Sequence, residues 1–258
     1  MPKLAANLSM LFNEVPFLDR LGAAAAAGFK GVEYLFPYEH SPETIASRLE
    51  EHGLTNVLFN LPPGDWSAGE RGVAALPGRE TEFAEGLEQA LHYARALGCE
   101  RLHAMAGIPG PGVDPAACRE TYVANLRRAA DAAAADGITI LIEPLNRRDN
   151  PGYFLTTQAD AAAILAEVGA PNLRIQFDFY HCQIVEGDLE MRLRERLDLI
   201  GHVQIAGVPA RNEPNTGEVN YSYLLDLLDA LGYGGWVGCE YRPAVDTGVG
   251  LGWARPYL

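Results

Sequence analysis

The chain has 258 residues, 48% of them hydrophobic and 9% aromatic, which suits a sizeable core in one large domain or two small ones. The formal net charge of -14 argues against a nucleic-acid partner, since phosphate contacts need clustered Lys and Arg. A small anionic substrate stays open, because it needs only one or two local cations. No window approaches the roughly eighteen uninterrupted apolar residues of a membrane span, so no membrane partner is expected. The start, "MPKLAANLSM", lacks the basic region and long apolar run of a signal peptide. Cys99, Cys118, Cys182 and Cys239 lie far apart with no C-x-x-C pair. That speaks against a zinc or disulfide framework and fits a reduced cytoplasm.

In chain order, short apolar runs fall at 3–8 (KLAANL), 31–36 (GVEYLF), 56–61 (NVLFNL) and 101–106 (RLHAMA). They continue at 139–145 (TILIEPL), 173–179 (LRIQFDF), 200–206 (IGHVQIA) and 235–241 (GWVGCEY). Longer segments of helical period lie between them. "ETIASRLEEHG" and "YSYLLDLLDALG" place apolar residues at three- and four-residue steps and stop on Gly. Pro77, Pro115 and the Ser41-Pro42 pair mark expected helix starts. "GAAAAAG" and "AADAAAADG" are read as closely packed helices, since alanine is the best helix former.

Eight strands alternating with helices in this length are the count of an α/β protein of (β/α)₈ TIM barrel type. A doubly wound sheet is the alternative, but the first turn, "SMLFNEVPF", has no G-x-G-x-x-G phosphate loop. No internal boundary shows, so residues 1–258 are expected to form a single domain. Only "RPAVDTGVGLGWARPYL" follows the eighth strand, which predicts a short last helix.

Catalytic groups of such barrels sit at the C-terminal strand ends. The last four strands end on Glu143, Asp178, Gln204 and Glu240, each about one βα unit from the next. One acid at a strand end is unremarkable. Four oxygen ligands on consecutive strands converge on one point. Three carboxylates that close repel one another unless a cation lies between them. A hard-oxygen set without thiolate points to a divalent metal, Mg²⁺ or Mn²⁺.

The period of two in a strand turns Gln176 and His202 inward beneath Asp178 and Gln204. They read either as groups that orient the ligands or as a satisfied polar pair in the core. "FDFYHCQ" places His181 three residues after Asp178, on the sixth βα loop, where substrate contact is the favoured reading. His103 on strand four is a further candidate. In the loop "NLPPGDWSAGERG", Trp66 is placed to cover the site and Arg71 to bind an anion. A solvated loop stapled by its tryptophan is the competing reading.

The stretches "NLPPGDWSAGERG", "IEPLNRRDNPGYFL", "QFDFYHCQ", "GHVQIAGVPARNEPNTGEVNY" and "WVGCEY" resemble the hydroxypyruvate isomerase family, within the xylose-isomerase-like barrel superfamily. The resemblance spans nearly the whole chain. It implies a divalent metal on Glu143, Asp178, Gln204 and Glu240, with Glu143 and Glu240 as the acid–base pair. 2-Oxo-tetronate isomerases share these motifs. Ketose 3-epimerases usually carry His at the third ligand position, so Gln204 speaks against them. Barrels of this kind often form homo-oligomers, and no feature here sets a number.

The implied reaction moves a hydrogen between adjacent carbons of an α-hydroxycarbonyl, converting hydroxypyruvate to 2-hydroxy-3-oxopropanoate through an enediolate. The carboxylate of such a 2-oxo or hydroxy acid needs a cation, for which Arg71, Arg147 and Arg211 are candidates. Two other classes are weighed against this. A phosphodiester-cleaving endonuclease on the same barrel would need many His ligands and a basic surface, whereas this chain has six His and a charge of -14. A non-catalytic metabolite-binding barrel has no evident use for two glutamates in its metal site.

Overall fold

The computed structural model describes residues 2–258. Eight parallel strands close a barrel in sequential order. They are β1 (Lys3–Asn7), β2 (Gly31–Tyr34), β3 (Thr55–Asn60) and β4 (Arg101–His103), followed by β5 (Thr139–Ile142), β6 (Leu173–Asp178), β7 (Ile200–Ile205) and β8 (Trp236–Cys239). The expected eight strands and intervening helices are therefore present. The strands are buried on both faces, mostly by apolar side chains, with buried polar residues such as Asn7, Glu33, Gln176 and His202 among them.

The helices form the outer layer. Among them are α1 (Phe17–Ala26), α2 (Pro42–His52), α3 (Glu80–Leu97), α4 (Pro115–Ala134) and α5 (Gln158–Val168). Then come α6 (Phe179–Val185), α7 (Leu189–Arg196), α8 (Tyr221–Ala230) and a four-residue α9 (Thr247–Gly250). Ser41 and Asp114 cap α2 and α4, each directly before a proline at the first helical position. Pro77 does not open α3. Gly78 takes a φ of 84° and its N–H donates to Glu80 Oε1, so the helix starts only at Glu80.

Strand β4 is shorter than its apolar run. Beyond His103 the backbone leaves the ladder and pairs with the preceding loop, through Ala74 N–H to Met105 O and Ala75 N–H to Ala106 O. Gly72, at φ 97°, makes this approach possible, because a Cβ there would lie 2.2 Å from Met105 O. Across β6 and β7, Gln176 pairs with His202 and Asp178 with Gln204. That register puts the two layers of polar residues side by side at the barrel's C-terminal end. All four cysteines are free and buried. No helix among the described residues is long and apolar enough to cross a membrane.

Candidate active site

Glu143 directly follows β5, Asp178 ends β6, Gln204 is next to last in β7, and Glu240 directly follows β8. None is more than 5% exposed. Glu143 and Asp178 come together in one buried group, Gln204 joins Glu143 through Gln176, and Glu240 stands beside them with its oxygens held by Asn7 and Arg211. Isolated carboxylates there would cost several kcal/mol each.

A polar network beneath them holds their positions. Gln176 Nε2 donates to Glu143 Oε2 at 2.9 Å and to Gln204 Oε1 at 2.7 Å. Gln204 Nε2 donates to Glu33 Oε1 at 2.8 Å. Asn7 Nδ2 bridges Glu33 Oε1 at 3.0 Å and Glu240 Oε1 at 3.2 Å. His202 Nε2 lies 2.7 Å from Glu33 Oε2. Gln176 and His202 do face inward, as strand alternation requires. Neither Glu33 nor Asn7 was marked out by the sequence.

Arg211 is the cation inside the cluster. Its Nη2 lies 2.6 Å from Glu240 Oε2 and 3.5 Å from Asp178 Oδ2, and its guanidinium sits 4.9 Å from the Tyr180 ring centroid. Its backbone is left-handed, at φ 57°, a conformation unusual for a residue with a Cβ. Burial pushes all three carboxyls up, Asp178 to about 6 and Glu240 to about 8. Arg211 pulls each of them back, while Glu240 and Asp178 push Glu143 further up.

The donor set fits a divalent cation. Buried Glu143 Oε1 and Asp178 Oδ2 have no hydrogen-bond donor, so each keeps an oxygen able to face a metal. One ligand atom from each of Glu143, Asp178 and His181 lies within 4.8 Å of the others. His181 sits in the first turn of α6, not on a loop, because Asp178 accepts from Tyr180 N–H and caps a helix that starts directly at the strand end. Its Nδ1 is 3.1 Å from the Asn146 backbone N–H and 2.7 Å from Asn146 Nδ2. An Nδ1 that accepts leaves the proton on Nε2, which lies 3.6 Å from Asp178 Oδ2. That tautomer makes His181 Nε2 a donor toward Asp178 or a bound substrate, and a metal could use it as a ligand only after the proton leaves.

A cavity of about 840 Å³ opens above these groups and is lined by Trp66, Arg71, His103, Glu143, His181, Arg211 and Glu240. Asp178 and Gln204 lie below its surface. Arg147 turns away, donating to Thr156 Oγ1 at 3.2 Å. Arg71 stacks 3.8 Å from the Trp66 ring centroid and donates to the backbone carbonyl of Glu70 at 2.7 Å. The nearby Glu70 carboxylate is taken by Arg79 at 2.6 Å, which leaves the Arg71 charge available to the cavity. His103 Nδ1 is 3.6 Å from Glu143 Oε2, and burial drives its pKa down to about 3, so it is a neutral imidazole. Sequence reasoning also missed Asp149, which lines the cavity and accepts from Tyr180 Oη at 2.7 Å and Asn146 Nδ2 at 3.0 Å. Arg242, two residues after Glu240, was missed as well and lines the rim.

Such a barrel, with a buried carboxylate cluster under a cavity at its C-terminal mouth, defines an enzyme of the TIM barrel class. The profile of the xylose isomerase-like TIM barrel family matches residues 21–257, and the chain belongs to that family. It is 59% identical, over 100% of its length and 99% of the relative's, to a 2-oxo-tetronate isomerase of Cupriavidus necator. It is 46% identical to the hydroxypyruvate isomerase of Escherichia coli, covering 100% of both chains. With full-length isomerase relatives at these identities, the chain is an isomerase. A solved structure described as AP endonuclease, family 2, from Brucella melitensis superposes with a TM-score of 0.98 at 54% identity, covering 100% of this chain and 99% of that one.

Proposed function

We propose that the chain is a divalent-metal-dependent isomerase of short 2-oxo and hydroxy acids. Its substrate is hydroxypyruvate, giving 2-hydroxy-3-oxopropanoate, or the longer 2-oxo-tetronate. The observation that carries this reading is the buried group of Glu143, Asp178 and His181, next to Glu240 on the cavity wall, with donor-free oxygens on Glu143 and Asp178. Glu143, Asp178, Gln204 and Glu240 would hold Mg²⁺ or Mn²⁺, the choice following from their hard oxygens. When bound, the cation neutralises the carboxylates and polarises the two oxygens of an α-hydroxycarbonyl, which acidifies the C–H between them.

The chain's own groups then do the rest. Glu143 is the carboxylate assigned to take the proton, sharing that group with the metal. Glu240, held at 2.6 Å by Arg211, would give its own proton to the neighbouring carbon, and the two glutamates then re-equilibrate their protons with solvent. His181 offers its Nε2–H to a substrate oxygen. Arg71 supplies the cation for the substrate carboxylate, and Trp66 beside it covers that end of the cavity. The 59% relative favours the four-carbon acid over hydroxypyruvate. Four free, buried cysteines suit a reducing cytoplasm.

The Brucella structure's description raises phosphodiester cleavage as a second reading. It is disfavoured by the net charge of -14 and by the single His/Asp/Glu cluster among the described residues. A ketose 3-epimerase is disfavoured by Gln204. Parallel assays of hydroxypyruvate, 2-oxo-tetronate, fructose, psicose and an abasic DNA duplex separate these readings. One of the two acids is expected to turn over fastest. Preference for a neutral hexose, or strand cleavage without isomerisation, overturns the acid-isomerase reading.

A further inference from the structure

Resting on the proposal that Gln204 is a metal ligand, we infer that Glu33 is a positioning residue. Its carboxylate fixes which end of the Gln204 amide faces the metal. An amide differs from a carboxylate or an imidazole in one respect. Its two ends have nearly the same shape, but only the oxygen binds a cation, while the NH₂ repels it. A glutamine ligand therefore works only if something selects its orientation. Glu33 is fully buried on β2 and is acceptor-only when ionised. Gln204 must turn its Nε2 toward Glu33 Oε1, at 2.8 Å, which puts Oε1 on the other side, where Gln176 Nε2 occupies one lone pair at 2.7 Å and the second is left for a cation.

The surroundings are shaped for this carboxylate. Gly238 lies beside Gln204 in the β7–β8 register, and a Cβ there would come within 2.4 Å of both Glu33 oxygens. Only a residue without a side chain lets Glu33 reach through. The same Oε1 accepts from Asn7 Nδ2, whose second hydrogen bond goes to Glu240 Oε1 at 3.2 Å. Glu33 thus orients two of the four proposed ligands, one directly and one through Asn7. On its other oxygen His202 Nε2 sits at 2.7 Å, while buried His202 Nδ1 has no partner. That imidazole is therefore free to exchange tautomers. A glutamine at position 33 keeps an acceptor toward Asn7 and Gln204 and turns its NH₂ toward a His202 that now accepts.

The test is Mn²⁺ affinity, read as free Mn²⁺ by electron paramagnetic resonance, on the full chain. Glu33→Met keeps the volume and removes the acceptor. It is expected to weaken Mn²⁺ binding by about 10–100-fold, the usual cost of losing a group that orients a ligand. Glu33→Gln is expected to stay within a few-fold of wild type. Gly238→Ala, which displaces the carboxylate without deleting it, should weaken binding as Glu33→Met does, and it serves if Glu33→Met does not fold. On a Gln204→Ala background the loss from Glu33→Met should shrink to the part carried through Asn7. Unchanged affinity in the folded Glu33→Met or Gly238→Ala variant overturns the inference. So does an equal loss in the Met and Gln variants, which would mean that only the charge matters. A wild-type chain that binds no Mn²⁺ removes the metal reading itself, and this inference with it.

Discussion

Glu143→Gln and Glu240→Gln are each expected to fold normally and to lose at least 10²–10⁴-fold in kcat, about the worth of a general acid–base group. Gln preserves volume and one carbonyl oxygen, so part of the metal affinity should survive at either position. What disappears is the ability to accept a proton as a carboxylate. The loss should therefore persist at saturating Mg²⁺ or Mn²⁺. The two variants should differ in their second effect. Glu240→Gln leaves Arg211 without its 2.6 Å partner, so Arg211 should turn toward Asp178, already 3.5 Å away, and metal affinity should fall further than in Glu143→Gln. Steady-state kinetics at several fixed metal concentrations separate the two effects. Near-normal kcat in both variants would contradict the proton-transfer roles.

The second large effect is metal removal. Exhaustive EDTA treatment is expected to abolish turnover, and Mg²⁺ or Mn²⁺ to restore it. The same titration should show a pH-dependent gain in stability. Asp178 and Glu240 are pushed up to about 6 and 8 in the folded protein, and Glu143 is pushed up too, with burial the leading cause in each. Unfolded carboxyls titrate near about 4. A raised folded value means that the folded, metal-free protein binds these protons more tightly than the unfolded chain. Their stabilising contribution is then complete below about pH 4 and is lost as pH climbs through about 6 and 8. A divalent cation supplies the missing partner charge in that window and releases the protons. Metal at 100 times its Kd adds about 2.7 kcal/mol, or roughly 5–10 °C in Tm for a chain of this size. The gain in Tm should be larger at pH 8 than at pH 6 when metal concentration is held fixed. Full activity in protein shown by elemental analysis to be metal-free would remove the cofactor. A Tm gain independent of pH would remove the linkage.

The barrel was readable because parallel strands buried on both faces leave short, predominantly apolar runs, and each of the eight runs holds a strand. Glu143, Asp178, Gln204 and Glu240 were readable for a related reason. Their strand-end position is a local property, and their spacing repeats once per βα unit. Strand alternation likewise turned Gln176 and His202 inward correctly. Glu33 was not readable. In "GVEYLF" it looks like an ordinary polar position of a short strand, and its partners Asn7, His202 and Gln204 lie 26, 169 and 171 residues away. The gap at Gly238 that admits it is visible only once the barrel closes and β2 and β8 flank β1 on either side. Arg71, Arg147 and Arg211 could not be ranked from sequence, because which way an arginine points is set by loop backbone. Arg211 turns into the carboxylates from a left-handed residue, while Arg147 is tied to Thr156. His181 was assigned to a loop because nothing in "FDFYHCQ" announces that Asp178 serves as both strand end and helix cap.

Proton transfer between adjacent carbons of a short 2-oxo acid is read out by turnover in D₂O followed by nuclear magnetic resonance. The enzyme is loaded with Mg²⁺ and supplied in turn with 2-oxo-tetronate and hydroxypyruvate. The expected product carries deuterium on the carbon that receives the proton, since Glu240 exchanges with D₂O before it donates. Incorporation below one deuterium per turnover would mean that a single shielded glutamate carries the substrate proton across. Turnover with no deuterium at all, the signature of a direct hydride shift, would contradict the roles of Glu143 and Glu240, and failure to isomerise either acid would contradict the substrate class.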